Sequence, residues 1–189
     1  MSFEVAQIAA AARDRGPRAG TTCVIAIDGP AGSGKTTLAA LLAAEITGSV
    51  VLNTDQLYPG WDGLEKGAER LVSEVLGPIS SGAEATFTAW DWQRQCEGEL
   101  TTVPASATLI IDGAGSGNKA AEPFLSFLIW MDAERSTRES RAIGRDGEMF
   151  APHWENWAEQ EQLHFGREET PERADLVILT DGDQQQSGQ

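Results

Sequence analysis

Gly29-Pro30-Ala31-Gly32-Ser33-Gly34-Lys35-Thr36 is a complete G-x-x-x-x-G-K-[ST] string, with Thr37 directly after it. Residues of these types at this spacing handle phosphate. Glycines let successive backbone N–H groups turn inward around phosphate oxygens, Lys35 reaches the outer phosphates, and the Thr36 hydroxyl is placed for Mg²⁺. The flanks agree with this reading: Cys23 to Ile27 is an uninterrupted, β-branched-rich apolar run, and Thr37 to Glu45 consists mostly of strong helix formers. Strand, glycine loop and helix start therefore follow in the order that a nucleotide-binding loop requires.

Two carboxylates stand just beyond other apolar runs. Asp55, in Asn53-Thr54-Asp55-Gln56-Leu57-Tyr58, follows the run Val50 to Leu52. There it either takes the proton of an acceptor hydroxyl during phosphoryl transfer or caps the next turn. Asp112 ends Leu109-Ile110-Ile111 and precedes Gly113, the form of a Walker-B acid that holds Mg²⁺ and also of an ordinary Asp-Gly turn. Arg138, Arg141 and Arg145 are spaced i, i+3, i+7, so they share one helical face, in a helix expected to end near Gly144. Guanidiniums on one face suit a lid that binds phosphate, and the competing reading is a solvated face paired with Glu134, Glu139 and Glu148. Six tryptophans against one tyrosine is an uncommon balance, and Trp61, Trp90 and Trp92 occur beside acids in Gly60-Trp61-Asp62-Gly63 and Trp90-Asp91-Trp92. Rings next to carboxylates suit a planar or sugar-like ligand with several hydroxyls; core packing is the alternative. Tyr58, Trp61, Trp90 and Asp91 are the candidate acceptor-binding residues, together with Asp55.

The elements that must position these groups follow from periodicity. Apolar runs at Val50 to Leu52, Thr108 to Ile111, Phe127 to Met131 and Leu176 to Leu179 join Cys23 to Ile27 as five buried strands. Between them, Leu64 to Leu76 repeats at helical spacing up to Gly77-Pro78. Glu134 to Ile143 and Trp154 to Phe165 read as further helices, the last packing through Trp154, Trp157, Leu163 and Phe165. His153 and His164 read as surface or helix-end residues. Strands alternating with helices predict an α/β fold with a mostly parallel sheet covered on both faces, whose ligands bind beyond the carboxyl ends of the strands.

The chain has 189 residues, enough for one ordinary domain. Residues 1–20 read as a short helix carrying Phe3, Val5 and Ile8 and then a Gly/Pro linker, 21–180 as the nucleotide-binding domain, and 181–189 as a disordered polar tail. Twenty-nine acidic side chains against fourteen basic ones give a net charge of −15, which opposes nucleic acid and anionic membranes as partners. No run is long and apolar enough to span a bilayer, no secretory signal pattern opens the chain, and Cys23 and Cys96 suit a reducing cytoplasm.

With these residues in place, the chain resembles the uridine kinase-like group of P-loop kinases, relatives of phosphoribulokinase and the bacterial pantothenate kinases. The likeness runs over most of residues 21–180. It rests on Ile25 to Thr37, the Asp55-x-Leu57-Tyr58 element, Trp90-Asp91-Trp92, the Arg138/Arg141/Arg145 set and Arg173 to Ile178. The resemblance implies a P-loop NTPase three-layer sandwich with a five-stranded core and an arginine-bearing lid, and ATP and Mg²⁺ as cofactors. It also implies Asp55 as catalytic base, Tyr58 beside the acceptor, and catalytic roles for Lys35, Arg138, Arg141 and Arg145. Two departures bear on the acceptor and the metal: Gly60 to Gly63 is not the usual nucleoside-pocket sequence, and Asp112-Gly113 stands where Glu-Gly is common.

The function these features predict is transfer of the ATP γ-phosphoryl group to a hydroxyl of a small metabolite, a nucleoside or a sugar-like compound. A nucleoside monophosphate kinase is the nearest alternative, but the stretch Asp55 to Asp62 offers only acids to a phosphorylated acceptor. A regulatory nucleotide-binding ATPase is the other. Asn118-Lys119-Ala120-Ala121 lacks the Asp of a guanine motif, and no Leu-Ser-Gly-Gly-Gln string occurs.

Overall fold

The structure, a computed structural model, describes residues 5–181. Five strands form one wholly parallel sheet: β1 (Cys23–Asp28), β2 (Val50–Asn53), β5 (Thr108–Asp112), β6 (Phe127–Asp132) and β7 (Leu176–Leu179), in the order β2-β5-β1-β6-β7. Four of these strands run one residue past the apolar stretch that announces them, and in each the added residue is polar: Asp28, Asn53, Asp112 and Asp132. Parallel register keeps those ends together, with Ile27 opposite Asp112 and Asn53 opposite Asp112. The carboxyl edge of the sheet is thus a row of side chains able to hold ligands, as doubly covered α/β sheets use it.

Alternation along β1 divides the core. Ile25 and Ile27 pack with Leu38 and Leu42 of α2 (Lys35–Glu45) and Ile8 and Ala12 of α1 (Val5–Asp14). Val24 and Ala26 face the other way, toward Leu71, Val75, Leu76 and Ile79. The two faces make a three-layer sandwich. Phe3 and the tail 182–189 lie outside the described residues. Asp181, expected to be disordered, accepts a hydrogen bond from the Glu134 backbone N–H at 2.6 Å.

Several elements depart from the periodicity reading. The helix from Leu64 does not stop at Gly77-Pro78: α3 (Leu64–Arg70) continues through a π-helical stretch (Leu71–Leu76) into α4 (Gly77–Ser80). In the wider turn the Gly77 N–H bonds to the Val72 carbonyl, five residues back, and the chain passes Pro78 without the clash an α-turn would impose. A two-stranded antiparallel hairpin, β3 (Ala85–Asp91) and β4 (Cys96–Val103), occupies a stretch with no predicted element. Its signal was the alternation of Ala85, Phe87 and Ala89 with Thr86 and Thr88.

The helix α5 (Arg135–Asp146) passes through Gly144 and turns at Gly147, where φ is +59°. Beyond it lie α6 (Trp154–Glu168) and the short α7 (Thr170–Arg173). On α6 the packing face is Trp154, Trp157, Glu161 and His164, while Leu163 is 76% exposed and belongs to the solvent side. His164 is buried rather than superficial, with Nδ1 3.2 Å from Glu65. Among the described residues no helix is long and apolar enough to cross a membrane.

Candidate active site

The phosphate loop leaves the central strand and is fixed by backbone packing at two glycines. Gly29, at φ +140°, lies so close to β6 that a Cβ there would stand 2.0 Å from the Met131 carbonyl oxygen. At Gly32, φ +79°, a Cβ would stand 2.1 Å from the Arg138 carbonyl oxygen, so the loop rests directly on the first turns of α5. Neither position tolerates a side chain without moving the loop. Asp28 anchors the loop's entry: it is fully buried and accepts N–H bonds from Gly29 (2.7 Å), Gly115 (2.9 Å) and Gly117 (2.8 Å). Burial nevertheless raises its pKa, with the backbone donors opposing.

Beside the loop a cavity of about 800 Å³ opens over the carboxyl edge of the sheet. Ala31, Gly32, Gly34, Lys35, Thr36 and Thr37 form its floor, and Asp55 and Asp112 face it. The Lys35 ammonium donates to the Pro30 carbonyl at 2.9 Å, a neutral partner that leaves its charge uncancelled. Asp112 is buried, accepts from Asn53 Nδ2 at 3.4 Å through Oδ2, and has an unpartnered Oδ1. Burial raises its pKa; Lys35, the Thr36 side chain and Arg145 oppose. An unpartnered buried carboxylate oxygen beside the Thr36 side chain offers the hard oxygen ligands that Mg²⁺ takes. Thr36 and Asp112 are the residues that would hold it.

Asp55 stands at the start of a 3₁₀ turn (Thr54–Gln56), where its N–H is capped by Asn53 Oδ1 at 2.7 Å. Asn53 therefore takes the capping role, and the Asp55 side chain is left to the cavity. Solvent reaches Asp55 through the opening, yet protein encloses it on most sides. Desolvation raises its pKa, and Lys35 and Arg145 hold the rise in check.

Aromatic side chains wall the far half of the cavity. Trp61 stacks on His153 (4.3 Å, 10°) and Phe150 (5.5 Å, 16°), and Trp92 tilts against it at 4.6 Å while donating from Nε1 to the Asp55 carbonyl at 2.9 Å. Tyr58 is buried, and its hydroxyl is consumed by Thr54 and by the Ala114 carbonyl (2.7 Å), so it offers the cavity ring surface rather than a free hydroxyl.

The remaining candidates separate. Arg141 and Arg145 line the cavity; Arg138 does not. Its Nε donates to the Ala133 carbonyl at 3.0 Å and pairs with Asp132 at 3.2 Å. Arg141 grips the end of β7 through Thr180 Oγ1 (2.8 Å) and its carbonyl (3.0 Å), and Thr180 Oγ1 donates in turn to the Ser33 carbonyl at 3.1 Å. Arg145 forms a two-pronged pair with Asp146. Trp90 and Asp91 also lie off the cavity wall: Asp91 Oδ1 accepts from the N–H groups of Gln93 and Arg94 at the hairpin turn, both at 2.9 Å, and the Trp90 ring lies close to Gly60.

Glu161 lines the cavity and had no part in the sequence reading. Its signal was spacing: Trp154, Trp157, Glu161 and His164 fall on one stripe of α6, so an acid sits where every neighbour is buried.

No protein-family model matches the sequence, nor does any curated protein. Similarity appears in three dimensions. A structure assigned as a possible uridine kinase, from Bacillus stearothermophilus, superposes with a TM-score of 0.62 at 21% identity, over 84% of this chain and 89% of that one. Another, provisionally assigned as a fructose transport system kinase and from Silicibacter sp. TM1040, gives 0.56 at 18% identity, over 93% of this chain and 99% of its own. The chain has the P-loop NTPase fold. The cavity beside Gly29 to Thr37 opens at the loop that follows the central strand of that fold.

Proposed function

We propose that this P-loop protein is an ATP- and Mg²⁺-dependent kinase that phosphorylates a hydroxyl of a small metabolite, a nucleoside or a sugar-like compound. One observation carries the reading: Asp55 faces the same cavity as Lys35 and Thr36, so a base and a phosphate site share one enclosure with aromatic-walled space left over. In the transfer, the acceptor oxygen bonds to the γ-phosphorus as the bond to the β,γ-bridging oxygen breaks. Asp55 takes the hydroxyl proton and ADP leaves. Lys35 and Arg145 stabilise charge on the phosphoryl oxygens, and Trp61, Trp92 and Phe150 orient the acceptor and exclude water. Thr36 and Asp112 would hold Mg²⁺, which would supply neutralisation of the phosphate charge.

The two likenesses in fold, both to proteins assigned as kinases, support this class of reaction. Scarcity of further cations supports an uncharged acceptor over a nucleoside monophosphate, since Arg141 is held by Thr180 and the transferring phosphoryl group already claims Lys35 and Arg145. The test is an ADP-release screen of nucleosides, nucleotides, sugars and vitamin precursors with Mg-ATP. An acceptor-dependent release from one of the uncharged classes is expected; ATP hydrolysis indifferent to every acceptor would point to a regulatory ATPase instead.

A further inference from the structure

Glu161 is 2% exposed and its two oxygens are treated unequally. Oε1 accepts from the Ala31 backbone N–H at 2.7 Å and from Trp157 Nε1 at 2.8 Å. Oε2 is buried with no partner at all. A carboxylate anion seeks donors at both oxygens, whereas in a carboxylic acid the carbonyl oxygen accepts and the hydroxyl donates. The observed division matches the acid: a doubly satisfied acceptor on one side and an idle oxygen on the other. Among the described residues no cation stands within ion-pairing distance of Glu161. Lys35 on α2 is held by Pro30, Arg138 on α5 by Asp132, and Tyr58, before α3, is neutral.

We propose that Glu161 acts as a neutral carboxylic acid whose Oε2–H donates a hydrogen bond to the phosphoryl oxygens of a bound nucleoside triphosphate. Its place supports this, because Ala31 belongs to the phosphate loop and the side chain lines the cavity. Burial also pushes its pKa up to about 7, with Lys35, the two hydrogen bonds and Arg138 opposing, and arriving phosphate charge pushes in the same direction as burial. A donor replaces what would otherwise be a like charge against the phosphates. The inference rests on the cavity being a nucleotide site.

Calorimetric titration with the Mg²⁺ complex of the β,γ-imido analogue of ATP, from pH 6 to 8.5, tests it in wild type and Glu161→Gln. Gln can present its carbonyl to Ala31 and Trp157 and its amide hydrogens where Oε2–H stands. Wild-type affinity should fall by up to about tenfold per pH unit above pH 7, with proton uptake on binding. The Gln variant should keep the wild type's pH 6 affinity across the range, apart from the nucleotide's own titration. Parallel profiles for the two proteins would overturn the proposal, as would a loss of affinity in the Gln variant at every pH, the mark of a required anion. Should that variant fail to fold, Trp157→Phe serves: it removes a donor that favours the anion, so the wild-type pH midpoint should rise, and an unmoved midpoint refutes the role. Wild type that binds no nucleotide, with Lys35→Ala behaving identically, would instead overturn the nucleotide site itself.

Discussion

Asp55 and Asp112 differ in burial and in hydrogen bonding alike: Asp55 is open to solvent at the cavity mouth, and Asp112 is buried. The amide of Asp55 is capped by Asn53, so nothing in the turn requires its carboxylate. Asp55→Asn should therefore leave the fold and nucleotide affinity intact and lower turnover by about 10²–10⁴, the usual contribution of a general base. Unchanged acceptor phosphorylation in Asp55→Asn, alongside a dead Lys35→Ala, would remove Asp55 from the mechanism. Asp112 instead presents a bare buried oxygen beside Thr36. Asp112→Asn should raise the Mg²⁺ concentration needed for half-maximal activity by about tenfold or more, measured by Mg²⁺ titration at saturating ATP.

At the scale of elements, α5 couples the phosphate loop to β7. Its Arg138 carbonyl lies against Gly32, and its Arg141 side chain holds Thr180, which holds Ser33. Arg145, further along and more exposed, has no such anchoring bond beyond its neighbour Asp146. The two arginines should respond differently to removal. Arg145→Ala should lower kcat by about tenfold or more with little change in melting temperature, because its contacts tighten on the transferring group. Arg141→Ala should also lose about 1–3 kcal/mol of stability with its two charge-assisted bonds, a fall of several degrees in Tm. Equal Tm losses in both variants would mean that α5 is not anchored as its contacts indicate.

For the molecule as a whole, Glu161 links the site to stability. Its folded pKa of about 7 lies above the ordinary 4.5, so the folded state holds its proton more tightly than the unfolded chain. That contribution is fully present below about pH 4.5 and lost as pH rises through 7, amounting to about 3 kcal/mol. Glu161→Gln does not titrate. It should melt above wild type at pH 8, by up to roughly 10 °C, and the gap should close as the pH is lowered to 5. Asp28 titrates in the same direction in both proteins and cancels from the comparison. A gap independent of pH would contradict the burial argument.

Local pattern alone determined the five strands, the glycine loop, the acid just beyond β2 and the acid that ends β5, because each depends on neighbours in the chain: apolar runs, glycine freedom, and polar residues where a run stops. Partners distant in sequence decided the rest. Arg138, Arg141 and Arg145 share a helical face by spacing, yet Asp132 at the end of β6 holds Arg138 away from the cavity and Thr180, just past β7, fixes Arg141 beside it. Trp90 and Trp92 are two residues apart, yet the hairpin puts only Trp92 on the cavity wall. Glu161 is one of several acids along α6 until packing sets its stripe against Ala31, 130 positions away, and burial changes its chemistry. Spacing fixes which residues share a face; only packing fixes what that face meets, and with it the charge a buried group can bear.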